Sequence, residues 1–166
     1  MNMKKAVTII LTIALVLGVY GVAHAANNTA TQSVTFRVDA INEISVSGDP
    51  GTLVIYKATP GRNPTPATDS STKYAITTNG TGMKITAKID TNMPTGLTLM
   101  VNLEAPNRAS SPGDVVLIDN EAKAVVTEIS QVAQDNLTIT YTLEATAQAA
   151  EVSYGMKTVT FTLTDA

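Results

Sequence analysis

The sequence predicts an all-β fold, an antiparallel two-layer sandwich of about seven to nine strands, and three observations carry that expectation. Apolar residues recur at every second position through most of the chain, which places one face of each segment in a core and the other in water. Threonine fills 24 of the positions from 26 to 166, and valine and isoleucine are frequent beside it. Such β-branched residues fit a pleated, half-buried surface. Short clusters of Gly, Pro, Asn and Asp separate the alternating segments, as in an antiparallel sandwich.

The segments follow in order. Val34, Phe36 and Val38 alternate with Thr35 and Arg37, and Ile44 and Val46 with Ser45 and Ser47. Gly48-Asp49-Pro50-Gly51 is a turn, after which Leu53 to Tyr56 forms a short continuous apolar strand. Pro60 to Ser71 reads as a long loop with Pro60, Pro64 and Pro66. Tyr74 and Ile76 mark a strand that Asn79-Gly80-Thr81-Gly82 joins, as a hairpin loop, to the alternating Met83, Ile85, Ala87 and Ile89. Met93 to Gly96 opens the strand of Leu97, Leu99, Val101 and Leu103. Ala109 to Gly113 precedes the run Val115 to Ile118. Leu137, Ile139, Tyr141 and Leu143 form another strand, and Val159, Phe161 and Leu163 the last. One stretch breaks the period. Ala122, Val125, Val126, Ile129, Val132 and Ala133 recur at spacings of three and four. That pattern fits a short helical turn as well as a strand from Lys123 to Thr127 followed by a turn.

The first residues read as an address. Lys4 and Lys5 precede the apolar run Ala6 to Val22, and Ala23-His24-Ala25 supplies small residues at the cleavage positions. This is the layout of a secretory signal peptide over residues 1–25, cut after Ala25, with Ala23 and Ala25 as the recognised pair. It leaves one domain over residues 26–166. The remaining 141 residues hold 9 basic and 14 acidic side chains, a net charge of −5, and no His, Cys or Trp. An acidic balance argues against a nucleic-acid partner. Without histidine or thiol, Ser-His-Asp and Cys-His catalysis and ordinary zinc or copper sites are excluded, and the expectation is that the protein is not an enzyme. An exported chain without disulfides must rely on packing and backbone pairing.

Nothing in the sequence points to a catalytic residue, a metal ligand set or a cofactor. No phosphate-binding glycine loop and no D-x-[DN]-x-[DN]-G calcium loop is present. Asp69, Asp90, Asp114, Asp119 and Asp135 fall in or beside predicted turns, where aspartate serves backbone hydrogen bonding first and loop calcium binding second. Asn27, Asn79 and Asn136 each begin an Asn-x-Thr triplet, a pattern that a threonine-rich chain produces by chance. Tyr56, Tyr74, Tyr141 and Tyr154 suit a core or an edge with a wet hydroxyl better than a sugar-stacking platform.

After cleavage the chain begins AANNTATQ, polar and without a core signal, and then becomes the alternating segment SVTFRVDAINEISVS. Two readings stay open. The segment can be an ordinary first strand of its own sandwich, or it can leave and complete the edge of a neighbour by β-strand addition.

The layout resembles the major pilins of cysteine-free, class 5 fimbriae. The likeness lies in the stretch from Val34 to Ile44, in Lys73 to Asn79, Lys84 to Ile89 and Leu99 to Leu103, and in a Tyr154-Gly155 turn leading into Thr158 to Thr164. Ala40 stands where that family commonly has proline. The resemblance implies an incomplete immunoglobulin-like β-sandwich whose open position is filled by residues 26–39 of the next subunit. Val34, Phe36 and Val38 would be the inserted side chains, with Ile41 completing the donor-strand interface. It further implies a homopolymer of this chain on the cell surface, a fimbrium reached through the periplasm with a chaperone and an outer-membrane usher as assembly partners. The function expected is that of a structural fibre subunit. The alternative is a monomeric secreted or periplasmic module that binds a sugar, a protein or calcium.

Overall fold

The computed structural model describes residues 28–166. The signal-peptide reading, with Ala23 and Ala25, lies outside the described residues, as does Asn27. The chain divides into two units, residues 1–37 and 38–166. In the first unit, residues 28–37 contain no strand.

The second unit is all β. Its strands are β1 (Asn42–Val46), β2 (Ala67–Thr78), β3 (Met83–Ile89), β4 (Leu97–Leu103), β5 (Val115–Val116), β6 (Lys123–Ile129), β7 (Val132–Ala145) and β8 (Val159–Asp165). They form two antiparallel sheets, ordered β1-β2-β7-β4-β5 and β6-β3-β8. Between the sheets lies one core. Tyr74 and Ile76 of β2, Met83, Ile85, Ala87 and Ile89 of β3, Leu99, Val101 and Leu103 of β4, and Leu137, Ile139 and Tyr141 of β7 are all buried in it. These are the alternating residues of the sequence, and alternation suffices to build the core because each strand turns every second side chain inward.

The two buried tyrosines are core residues. The Tyr74 hydroxyl donates to the Glu104 carbonyl at 2.5 Å, and burial pushes its phenol well above the ordinary tyrosine range. Burial, reinforced by Asp49, pushes Tyr141 up to about 12. Tyr56 and Tyr154 are exposed.

Several sequence expectations are corrected. No strand spans Val34 to Val38; β1 begins only at Asn42. Leu53 to Tyr56 belongs to no strand, so the turn at Gly48–Gly51 leads into no second strand. Leu53 and Ile55 are half-buried and Val54 and Tyr56 exposed, so the period of two is real; a period reports which side faces the core, not whether a partner strand exists. β2 starts at Ala67, inside the expected loop, and β5 takes up only Val115 and Val116 of its run.

Asn79–Gly82 is not a hairpin loop. It carries the chain from β2 in one sheet to β3 in the other, and its four residues suffice to cross the roughly 10 Å between stacked sheets. The helical alternative for Ala122 to Ala133 is replaced by strand β6, a turn at Ser130–Gln131 and the start of β7; among the described residues there is no helix. The register between β3 and β6 shifts near Ile85 and Val126, and this bulge turns both Val125 and Val126 inward. Consecutive buried valines beside Ile129 imitate helical spacing.

Candidate functional site

The chemistry sought in the loops resolves into local structure. Asp69 lies within β2, where its carboxylate accepts from the backbone and hydroxyl of Ser71 at 3.1 and 2.7 Å. Those bonds hold it below the usual carboxylate range. Asp90 Oδ1 accepts from the amides of Thr91 and Thr158. Asp135 lies within β7, beside Asn136, whose φ of 56° marks a bulge against β2. Among the described residues no three acids gather into a metal-sized cluster. Two shallow depressions of about 310 and 300 Å³ are present. The first holds Lys73 beside Tyr74 and the second holds Glu144, so neither pairs an acid with a base.

The feature that sets this sandwich apart is one side of it. In the three-stranded sheet β3 is central, flanked by β6 and β8. The outer edge of β6 is partly capped by Ser110, which exchanges two backbone hydrogen bonds with Thr127 at 3.0 and 2.9 Å. β8 pairs with β3 along its whole length, from Val159 opposite Ile89 to Asp165 opposite Met83. Among the described residues no strand pairs with its other edge. The inward residues of β8, Val159, Phe161 and Leu163, pack against the core but stay half-exposed, whereas those of β3 are 0–3% exposed.

β1 lies alongside β8 from the opposite sheet and, among the described residues, is likewise bonded to a strand on one edge only. Its inward Ile44 is half-buried and Val46 is exposed. Between β1 and β8 therefore runs a strip of apolar side chains bordered by unpaired backbone groups.

The residues singled out for strand donation are placed as follows. Val34, Phe36 and Val38 are strongly exposed, Phe36 at 88%, and Ile41 is partly exposed. The root of this arm is held by a residue that the sequence marks only as a turn and a glycosylation triplet. Asn79 Oδ1 accepts from the Ile41 amide at 2.9 Å, and Asn79 Nδ2 donates to the Asp39 carbonyl at 2.8 Å. The Asn79 amide donates to the Ile41 carbonyl at 3.2 Å. Next to it the Thr78 hydroxyl donates to Asn42 Oδ1 at 2.6 Å. With both ends of its side-chain amide occupied, Asn79 acts as a clamp. The sequence signal available for it was an asparagine at the end of a strand, whose short amide can mimic backbone. No protein-family model and no curated protein matches the sequence.

Proposed function

We propose that the protein is a structural subunit of a cell-surface fibre whose copies are joined by β-strand donation. The observation that carries this reading is the unpaired edge of β8 with Val159, Phe161 and Leu163 half-exposed beneath it. An edge of that kind is a template for another chain, and proteins that remain monomeric blunt it with charge, proline or a covering loop. Here β8 presents Thr160, Thr162 and Thr164 on its other face and has only Asp165 as a charge, at its end.

The exposed Val34, Phe36 and Val38 supply a matching occupant, with apolar residues at every second position. Main-chain bonds give such a joint its affinity and alternate side chains give it register. Burying the three side chains is worth roughly 5–8 kcal/mol. On this reading a secreted chain meets a periplasmic chaperone that covers β8 before assembly, and an outer-membrane usher that exchanges it, as the class 5 resemblance implies.

The test is the oligomeric state of the secreted protein. The expected result is a ladder of polymers that persists in unheated detergent and is abolished by deleting residues 26–39 or by Phe36→Asp. A stable monomer at every concentration, unaffected by Phe36→Asp, would overturn the reading in favour of a monomeric binding module.

A further inference from the structure

The two ends of the sandwich differ. At one end β2 turns into β3 through Asn79–Gly82, β6 turns into β7 through Ser130 and Gln131, and β8 finishes. Hydrogen bonds bind these together: Gln131 N to Gly80 O at 2.9 Å, Gly82 N to Ser130 Oγ at 3.1 Å, and Ala166 N to Gly82 O at 3.2 Å. The arm leaves from this end, because Asn79 grips Asp39 and Ile41. At the far end lie the start of β8, the turn from β3 to β4 and the loop between β7 and β8. That loop is anchored at both its ends. Thr146 N donates to Gly96 O at 2.8 Å, and Lys157 Nζ donates to Thr91 Oγ1 and the Asn92 carbonyl at 2.6 and 2.9 Å. Between the anchors Val152, Tyr154 and Met156 point into solvent, Tyr154 at 84% exposure.

Polarity follows from this layout. An arm docked antiparallel to β8 of an acceptor has its root at the acceptor's far end. A parallel arm would bring its root to the acceptor's own arm end, so two arm ends would meet and the chain could not grow. Antiparallel docking repeats head to tail without limit. The tether is then very short. Val38, the last inserted side chain, is followed directly by Asp39, whose carbonyl Asn79 holds. One residue of extended chain spans about 3.4 Å. The far end of one copy must therefore touch the arm end of the next.

We propose that successive copies meet in a direct end-to-end contact, in which Val152, Tyr154 and Met156 of one copy pack on the Asn79–Gly82 corner of the next, and that Asn79 fixes the angle of this joint. The occupant of the exposed loop is a second copy of this chain, and exposed Tyr and Met are side chains suited to such a core contact. The proposal rests on strand donation and adds to it a stiff joint instead of a free hinge. Asn79 is a positioning residue, acting through the backbone of Asp39 and Ile41.

Electron microscopy of filaments tests it, comparing wild type with Asn79→Ala and with the double variant Tyr154→Asp/Met156→Asp. Both variants keep the arm and β8, so both still polymerise. Their persistence length falls severalfold and the constant subunit twist is lost. Because the chain has no cysteine, the pair Tyr154→Cys and Gln131→Cys gives a second readout: a short bismaleimide yields a covalent ladder in filaments and none in dispersed subunits. Variant filaments with wild-type twist, rise and stiffness, or filaments that give no covalent ladder, would overturn the end contact alone. Absence of wild-type filaments would overturn strand donation, and the contact with it.

Discussion

β3 and β8 are neighbours in one sheet, of equal length, with the same alternation of apolar and polar residues. Yet Ile85, Ala87 and Ile89 are sealed from water while Val159, Phe161 and Leu163 are half-exposed. Composition does not separate them, since both strands face the same core. What differs is the number of strands alongside. Among the described residues β3 has two, and β8 has one. A side chain on a sheet is buried by its diagonal and cross-strand neighbours as much as by the opposite sheet, so an edge strand with no neighbour keeps only part of its burial. The molecule thus has a sealed side and an open side, and the open side is where an added strand would give most.

The largest expected effect comes from covering the open side. Joining residues 26–40 through a short flexible linker to Ala166 places a strand where it can run antiparallel to β8. This fused protein should unfold at higher urea than the unfused subunit, by about 5–8 kcal/mol. An equal unfolding free energy for the two would break the comparison, because the edge of β8 would then need no partner.

The next effect sets one strand against the other. Ile85→Ala on β3 should cost about 2–5 kcal/mol in the fused and unfused protein alike. Phe161→Ala on β8 should cost about half of the usual 3–5 kcal/mol in the unfused subunit and approach the full value once the strip is covered. Urea titrations of the four proteins measure this. A Phe161→Ala cost independent of the fusion would mean that the strip is not where the strand docks.

How much of this was legible in the sequence follows from the same contrast. Alternation names the inward residues of β3, β4, β7 and β8 correctly, because the pleat is a local property. Pairing is not local. Asn79–Gly82 joins two strands over four residues, like many hairpin loops, and only the partners of β3 decide that the chain crosses between sheets. The open edge of β8 is likewise the outcome of a strand order that no residue announces. Leu53 and Ile55 carry a strand's period without a partner, and Val125 and Val126 lose theirs to a bulge. Val34, Phe36 and Val38 were visible as a candidate, but the clamp at their root depends on residue 79 meeting residues 39 and 41 across the fold.

The sealed side can be probed by alkali. Tyr141 is pushed up to about 12 and Tyr74 further, both chiefly by burial, while an unfolded tyrosine titrates near 10. The folded state therefore holds protons that the unfolded state releases. Its stability is fully present below pH 10 and is lost as the pH rises toward 12. Tyr141 accounts for about 3 kcal/mol of that loss. Tyr141→Phe should flatten the decline of stability above pH 10, read from urea midpoints at stepped pH; an unchanged slope would show that solvent reaches the ring.

The smallest effect concerns a flaw within the sealed side. Thr72 is buried where β2 carries an extra residue against β7 between Asp69 and Thr72, and its hydroxyl has no hydrogen-bond partner among the described residues. A buried, unsatisfied polar atom costs about 1–3 kcal/mol. Thr72→Val keeps the branched shape and removes the hydroxyl, so stability should rise by about 1 kcal/mol. Thr72 sits opposite Ile139 of β7 and Phe161 opposite Ala87 of β3, so this gain should be equal in the fused and unfused protein, as for sites that share no neighbours. Phe161→Ala should depend on the fusion and Thr72→Val should not. Were the Thr72→Val gain to change when the arm is attached, the two sides would be coupled through the bulged β2–β7 pair, and the open edge would be a property of the whole sandwich and not of β8.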